Sequence, residues 1–279
     1  MGLVSQVFNE SSLDSLRGHL AVGHCRYSTT GASVWENAQP TFRPTANGML
    51  ALAHNGNLTN THEMAERVAA QAPDSGELPL ESSASATSDT DLVAALLAAH
   101  PGQSLEAAAL AELPRVEGAF SFVFMDEHTL YAARDTHGIR PLVLGRLERG
   151  WVVASETAAL DIVGATFVRE VEPGELLVID AAGLRSTRFA PEQPHGCLFE
   201  YVYLARPDST IRGRSVEAVR TEIGRRLAHE APADADLVIP VPESGRYAAI
   251  GYAQASGIPF GEGLVKNAYV GRTFIQPSQ

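Results

Sequence analysis

Residues 23–33, GHCRYSTTGAS, gather an imidazole, a thiol, a guanidinium and a run of hydroxyls between two glycines. One chemistry open to such a set is a thiolate nucleophile at Cys25 with His24 as its base. Along an extended strand, however, neighbours point to opposite faces, which sends Cys25 one way and His24 and Arg26 the other. A small buried cysteine beside an exposed arginine is the stronger reading of Cys25. Arg26 is different: a planar guanidinium among hydroxyls suits bidentate capture of a carboxylate.

Three further places carry more chemistry than a core requires. In LALAHNGNLTN (50–60) a strand runs into Asn55-Gly56-Asn57. Asn-Gly reads first as a plain turn. It also suits an oxyanion hole, with the Asn55 amide and the Gly56 N–H aimed at a carbonyl oxygen. In TSDTDL (87–92), Ser88 or Asp89 suits a helix N-cap, and Asp89 could instead pair with a ligand ammonium. In VIPVPESGR (238–246), a Ser-Gly turn at the end of a strand opens a helix, a natural anion site. The tail GLVKNAYVGRTFIQPSQ (263–279) sets Lys266, Tyr269 and Arg272 among glycines without periodicity. It reads as an ordinary mobile loop or as a lid that folds over a phosphate.

The elements that must hold these residues fall into two styles. Before residue 193, strand-like runs follow closely: 49–54, 118–126, 129–135, 141–147, 151–156 and 175–180. Gaps such as EHT and ERG are hairpin-sized, so the pairing is antiparallel. The Ala- and Leu-rich segments 91–100 and 104–113 are helices, the stretch 72–88 is a surface loop, and the whole is α+β. Beyond 193, residues 215–230 place Val216, Val219, Ile223 and Leu227 on one helical face. LFEYVYL (198–204) reads as a strand, 235–242 as a fully buried strand, and 243–257 as the helix that follows it. That helix–strand–helix unit belongs to a parallel sheet, which needs more strands than this to cover its faces.

Composition sets outer bounds. The 279 residues are 45 % apolar and 19 % charged, enough to bury a core. The net charge of −12 lies wholly in residues 1–193, with 12 basic against 24 acidic side chains, whereas 194–279 carry 9 of each. That balance argues against a general nucleic-acid binder, while the neutral second part could hold a small phosphorylated ligand. No run approaches a membrane span, and MGLVSQVFNE has no signal-peptide pattern, so a cytoplasmic location and no membrane partner are expected. Two cysteines 172 residues apart exclude a disulfide scaffold.

Together, these motifs resemble the glutamine phosphoribosylpyrophosphate amidotransferase (amidophosphoribosyltransferase) family. GHCRYSTTG, ENAQP, LALAHNGNLTN, RDTHGIRPL and ASET resemble its class II glutaminase domain. CLFEYVYLARPDS, VIPVPESG and KNAYVGRTFIQPSQ resemble the opening of its phosphoribosyltransferase domain. The first group is shared with relatives such as glucosamine-6-phosphate synthase; FEYVYLARPDS and YVGRTFIQPSQ decide between them.

The resemblance implies an α+β N-terminal-nucleophile sandwich over 1–193, then the start of an α/β type I phosphoribosyltransferase domain over 194–279. It implies that glutamine hydrolysis, by an N-terminal cysteine whose own α-amine is the base, supplies ammonia. The ammonia displaces pyrophosphate from phosphoribosyl pyrophosphate, giving 5-phosphoribosylamine and glutamate. By position, Arg26 would bind the glutamine α-carboxylate and Asp89 its α-ammonium, with Asn55 and Gly56 as the oxyanion hole. Glu243, Ser244 and Gly245 would line the pyrophosphate loop, Ser244 would ligate Mg2+, and Lys266, Tyr269 and Arg272 would close over the donor. Cys197 matches the first ligand of a four-iron, four-sulfur cluster found in some members, against the plainer reading of a small buried cysteine. A homo-oligomer inhibited by purine nucleotides is implied too.

Departures from the family pattern shape a further expectation. The nucleophilic cysteine should precede Met1, and the acidic donor-binding motif and three more cluster cysteines should follow Gln279. Ala268 also replaces the basic residue often seen in KNxYVGRTF. As written, the chain reads as a fragment holding halves of two active sites, inactive alone. The alternative is a catalytically dead interaction or regulatory protein derived from the enzyme.

Overall fold

A computed structural model describes residues 4–25, 37–71, 88–267 and 269. Arg26, Arg272 and the loop 72–87 therefore lie outside the described residues. The chain forms two compact units: Met1–Ile139 with Val171–Pro194, and Arg140–Glu170 with His195–Gln279. The expected linear division at 193/194 thus meets a chain that crosses twice more, because residues 140–170 join the second unit.

The first unit opens with two short helices, α1 (Val4–Val7) and α2 (Glu10–Ser15), the second capped by Asn9 and Ser12 reciprocally. Next come β1 (Thr41–Thr45), β2 (Gly48–Leu58), α3 (Thr61–Gln71), α4 (Asp89–Ala98), α5 (Leu105–Glu112), β3 (Gly118–Met125) and β4 (Leu130–Arg134). The chain then enters the second unit as β5 (Val143–Leu147), β6 (Gly150–Ala154), α6 (Thr157–Ile162) and β7 (Thr166–Glu170). It returns to the first for β8 (Glu175–Asp180) and β9 (Gly183–Arg188).

These first-unit strands make one antiparallel sheet in the order β1-β2-β3-β4-β8-β9. Its apolar face carries Leu50, Leu52, Phe120, Phe122, Phe124 and Val178 against Leu92, Val93, Leu96 and Met64 of the helices. Strands paired by hairpins with the helices grouped between β2 and β3 give the α+β layering that the pattern predicts. β2 is buried without interruption from Leu50 to His54, so alternation is lost where both faces are covered.

In the second unit β6-β5-β7 form a three-stranded antiparallel sheet. Polar contacts tie it to the later chain. Arg140 pairs with the buried Glu200 at 2.5 Å. Glu156 accepts the Arg206 N–H at 2.8 Å and the Ser209 hydroxyl at 2.7 Å. Thr157 accepts the Thr210 N–H at 2.9 Å. Such contacts act between segments far apart in sequence, which is why no local pattern announced them.

Residues 200–204, expected as part of a strand, form a π-helical turn instead. The buried Arg220 accounts for it, donating to the carbonyls of Tyr201 and Ala205 and so capping the turn's end. A small hairpin, β10 (Thr210–Ile211) with β11 (Arg214–Ser215), leads to α7 (Val216–Glu230) and α8 (Arg246–Ser256). Ser215 caps α7 by accepting the Ala218 N–H, and Gly257 ends α8 in the left-handed region.

Two expectations are corrected here. The buried stripe of α7 is Val216, Arg220, Gly224 and Ala228, not the apolar face through Ile223 and Leu227, which is solvent-exposed. Small residues set that choice: α7 and α8 touch backbone to backbone. A Cβ on Gly224 would lie 1.9 Å from the Ala248 carbonyl oxygen, and one on Gly251 1.9 Å from that of Thr221. Residues 235–242, expected as a fully buried strand, make a single parallel bridge, Val238 to Phe260, and expose Leu237, Ile239 and Val241. One neighbour covers one edge only.

Gly224→Ala tests the helix contact. Helix propensity favours alanine by about 1 kcal/mol, but backbone atoms cannot yield to a Cβ at that separation. We expect a net loss of about 1–3 kcal/mol in chemical denaturation; a stabilised variant would show that α7 and α8 are not in contact there.

Candidate functional site

Where β2 leaves the sheet, its last residues meet the start of α4. Ser88 caps α4, accepting the Asp91 N–H at 3.2 Å, so of the two capping candidates it is Ser88 that does this work. Asp89 is thereby left to face β2. Its Oδ2 accepts the Leu58 N–H at 3.1 Å and lies 3.6 Å from His54 Nδ1, while Oδ1 accepts the Thr90 N–H at 2.9 Å. Burial alone would raise the Asp89 pKa. The hydrogen bond and charge of His54, with the Leu58 and Thr90 N–H groups, outweigh it and hold the carboxyl below the usual range. The helix N-terminus favours the same anion. About 24 % of the Asp89 side chain stays exposed, so the carboxylate remains open to a cationic ligand.

Asn55 and Gly56 sit three and two residues before that contact, opposite Ser121 and Phe120 of β3. Gly56 is required: a Cβ there would lie 2.0 Å from the Ala119 carbonyl oxygen and 2.6 Å from His54 Nε2. No larger residue admits this close packing.

A set of residues that the motif reading passed over supports both features. His54, almost wholly buried, donates its backbone N–H to Gln39 Oε1 at 2.7 Å, and Gln39 Nε2 donates to Thr90 Oγ1 at 3.1 Å. His24 Nε2 donates to the His54 carbonyl at 3.0 Å, so its ring is engaged away from the exposed Cys25. That arrangement gives no support to a Cys25–His24 nucleophile–base pair. The signal for His54 was present in the sequence, as a polar residue in the buried run just before Asn-Gly. Gln39 and Thr90 have no comparable local mark.

In the second unit, Glu243, Ser244 and Gly245 form the turn into α8, with the Gly245 N–H bonded to the Val241 carbonyl at 3.2 Å. A Cβ on Gly245 would lie 2.7 Å from that oxygen. Arg246, at the start of α8, pairs with Glu262 at 2.6 Å. Lys266 is exposed and Tyr269 fully so. Arg26 and Arg272 lie outside the described residues. Cys197 is half-buried and a free thiol. Among the described residues no group of three or more His, Cys, Asp and Glu could hold a metal, and no helix is long and apolar enough to cross a membrane.

The depressed Asp89 pKa yields a pH prediction. A folded-state pKa below the unfolded one adds stability that is complete above the ordinary value near 3.8 and is lost as pH falls through the folded value. Asp89→Asn should therefore cost about 1–2 kcal/mol near neutrality, and its melting curve should converge with the parent's as pH falls below the ordinary carboxylate value. A constant difference across that range would mean that ionised Asp89 contributes nothing.

Comparison with known proteins shows the family. The model of a glutamine amidotransferase domain family matches residues 24–162. The amidophosphoribosyltransferases of Mycobacterium bovis and Synechococcus elongatus are 67 % and 50 % identical to this chain, covering 100 % of it and 53 % and 56 % of their own lengths. The solved glutamine phosphoribosylpyrophosphate amidotransferase of B. subtilis, complexed with ADP and GMP, is 43 % identical. It superposes with a TM-score of 0.87 over 100 % of this chain and 59 % of its own. The chain thus spans about half the length of the curated relatives it matches. It belongs to the amidophosphoribosyltransferase family and has that family's α+β class II glutamine amidotransferase fold, followed by the opening of the α/β phosphoribosyltransferase domain.

Proposed function

We propose that this chain forms the glutamine-binding part, and the start of the phosphoribosyl-binding part, of an enzyme that makes 5-phosphoribosylamine in the cytoplasm for purine synthesis. The observation that carries this reading is similarity running unbroken through both units, 67 % over the whole chain. A glutaminase domain of another pathway would share only the first.

In this reading Arg26 binds the α-carboxylate of glutamine and Asp89 its α-ammonium. The Asn55 amide and the Gly56 N–H receive the negative charge that develops on the carboxamide oxygen when a thiolate attacks it. That stabilisation acts where charge appears only in the transition state. Ammonia released there goes on to displace pyrophosphate from phosphoribosyl pyrophosphate. The Glu243-Ser244-Gly245 turn receives the pyrophosphate at the N-terminus of α8, and Lys266, Tyr269 and Arg272 close over the donor. Residues 1–193 are the glutaminase domain in this reading and 194–279 the phosphoribosyltransferase part, even though strands β5–β7 group with the second unit.

Mg2+ suits this turn, since it takes one or two protein oxygens and completes its shell with water and substrate phosphates. Ser244 would supply one of those oxygens, and the ion would neutralise charge on the departing pyrophosphate. In a complete protein, an iron–sulfur cluster would take Cys197 as one of its four thiolate ligands. Purine nucleotides as inhibitors and a homo-oligomeric state complete the reading; a solved relative carries ADP and GMP.

Two substitutions in a full-length protein carrying this sequence test these roles. Arg26→Ala should weaken the hold on glutamine by about 2–5 kcal/mol yet spare synthesis from high ammonia; equal loss of both activities would make Arg26 structural. Asn55→Ala should lower glutaminase kcat by about 10²–10³ with little change in KM. An unchanged kcat would leave Asn55-Gly56 an ordinary stretch of β2.

A further inference from the structure

The imidazole of His54 touches both halves of the candidate glutamine site. Nδ1 lies 3.6 Å from Asp89 Oδ2 and 3.4 Å from Thr90 Oγ1, while Nε2 lies 3.4 Å from the Ala119 carbonyl oxygen. Gly56 packs over the same ring, since a Cβ there would come within 2.6 Å of Nε2. The ring is nearly sealed from solvent, with 2 % of the side chain exposed, and Phe122 lies against it at 4.8 Å between centroids. We propose that His54 is a positioning residue for glutamine: through Nδ1 it fixes the Asp89 carboxylate in the orientation that receives the substrate α-ammonium.

Geometry and valence support this role. A carboxylate can only accept, so a proton on Nδ1 would point at Asp89 as an ion-pair contact at 3.6 Å, outside hydrogen-bond distance. The backbone holds that nitrogen in place. The His54 N–H is bound by Gln39, Gln39 is bound to Thr90, and Thr90 follows Asp89 at the start of α4. The loop of bonds leaves the ring little freedom. Asp89 Oδ2 is then bonded by the Leu58 N–H and flanked by the His54 ring at 3.6 Å, and an ammonium finds a carboxylate already oriented. Preorganisation of this kind improves binding by removing the cost of orienting the group when the ligand arrives. The inference rests on the proposed role of Asp89 and adds to it a residue that never touches substrate.

The test compares glutamine with its analogue lacking the α-amino group, glutaramate, in a full-length protein carrying this sequence. The ratio of the glutaramate inhibition constant to the glutamine KM reports how well the ammonium is recognised. Because both constants come from one preparation, the folded fraction cancels. Asp89→Asn should collapse the ratio; if it does not, the reading of Asp89 itself falls. His54→Gln, which moves the amide nitrogen toward the Nε2 place, should lower the ratio about tenfold. His54→Asn puts an N–H near the Nδ1 place and should keep the ratio within about threefold of the parent. A ratio that collapses in Asp89→Asn but holds in His54→Gln, or falls equally in both His54 variants, would overturn the positioning role and leave Asp89's intact.

Discussion

The carboxylate of Asp89 accepts the Leu58 N–H and faces His54, and through this one junction α4 is tied to β2 of the sheet. Without it, the end of β2 and the start of α4 would rest on the Thr90–His54 contact and on apolar packing, which is non-directional. Packing can bring the two elements together, but it cannot fix the angle of a carboxylate. A buried anion without partners would be costly; here the partners are also the positioning frame. Stability and site geometry therefore come from the same few bonds.

Much of the arrangement was legible in the sequence. Short apolar runs separated by hairpin-sized gaps located β2, β3, β4, β5, β6 and β8, and the Ala- and Leu-rich segments located α4 and α5. These features depend on neighbours in sequence, which pattern can see. Asn55, Gly56 and Asp89 were likewise marked by residue type, and the fold brings all three to the junction of β2 with α4.

What pattern could not reach depends on distant partners. The face of α7 was misread because hydrophobic periodicity favours Ile223 and Leu227, whereas backbone contact at Gly224 and the bonds of Arg220 set the buried side. The turn at 200–204 looked like a strand because its residues are aromatic and β-branched, and the bonds that Arg220 donates to its carbonyls override that preference. The return of residues 140–170 to the second unit rests on carboxylates at 156 and 200, whose partners lie 50 residues or more away. His54 was passed over for a related reason: its neighbours in space are Gln39, Thr90 and Ala119.

The central claim is that this junction is where the family's glutamine is held. A crystal structure of a full-length protein carrying this sequence, with glutamate bound, tests it most directly. The account predicts the ligand's α-ammonium about 2.7–3.2 Å from an Asp89 oxygen, with its side-chain carboxyl directed at Asn55 and Gly56. Glutamate bound with its ammonium turned away from Asp89, or bound elsewhere in the unit, would contradict it.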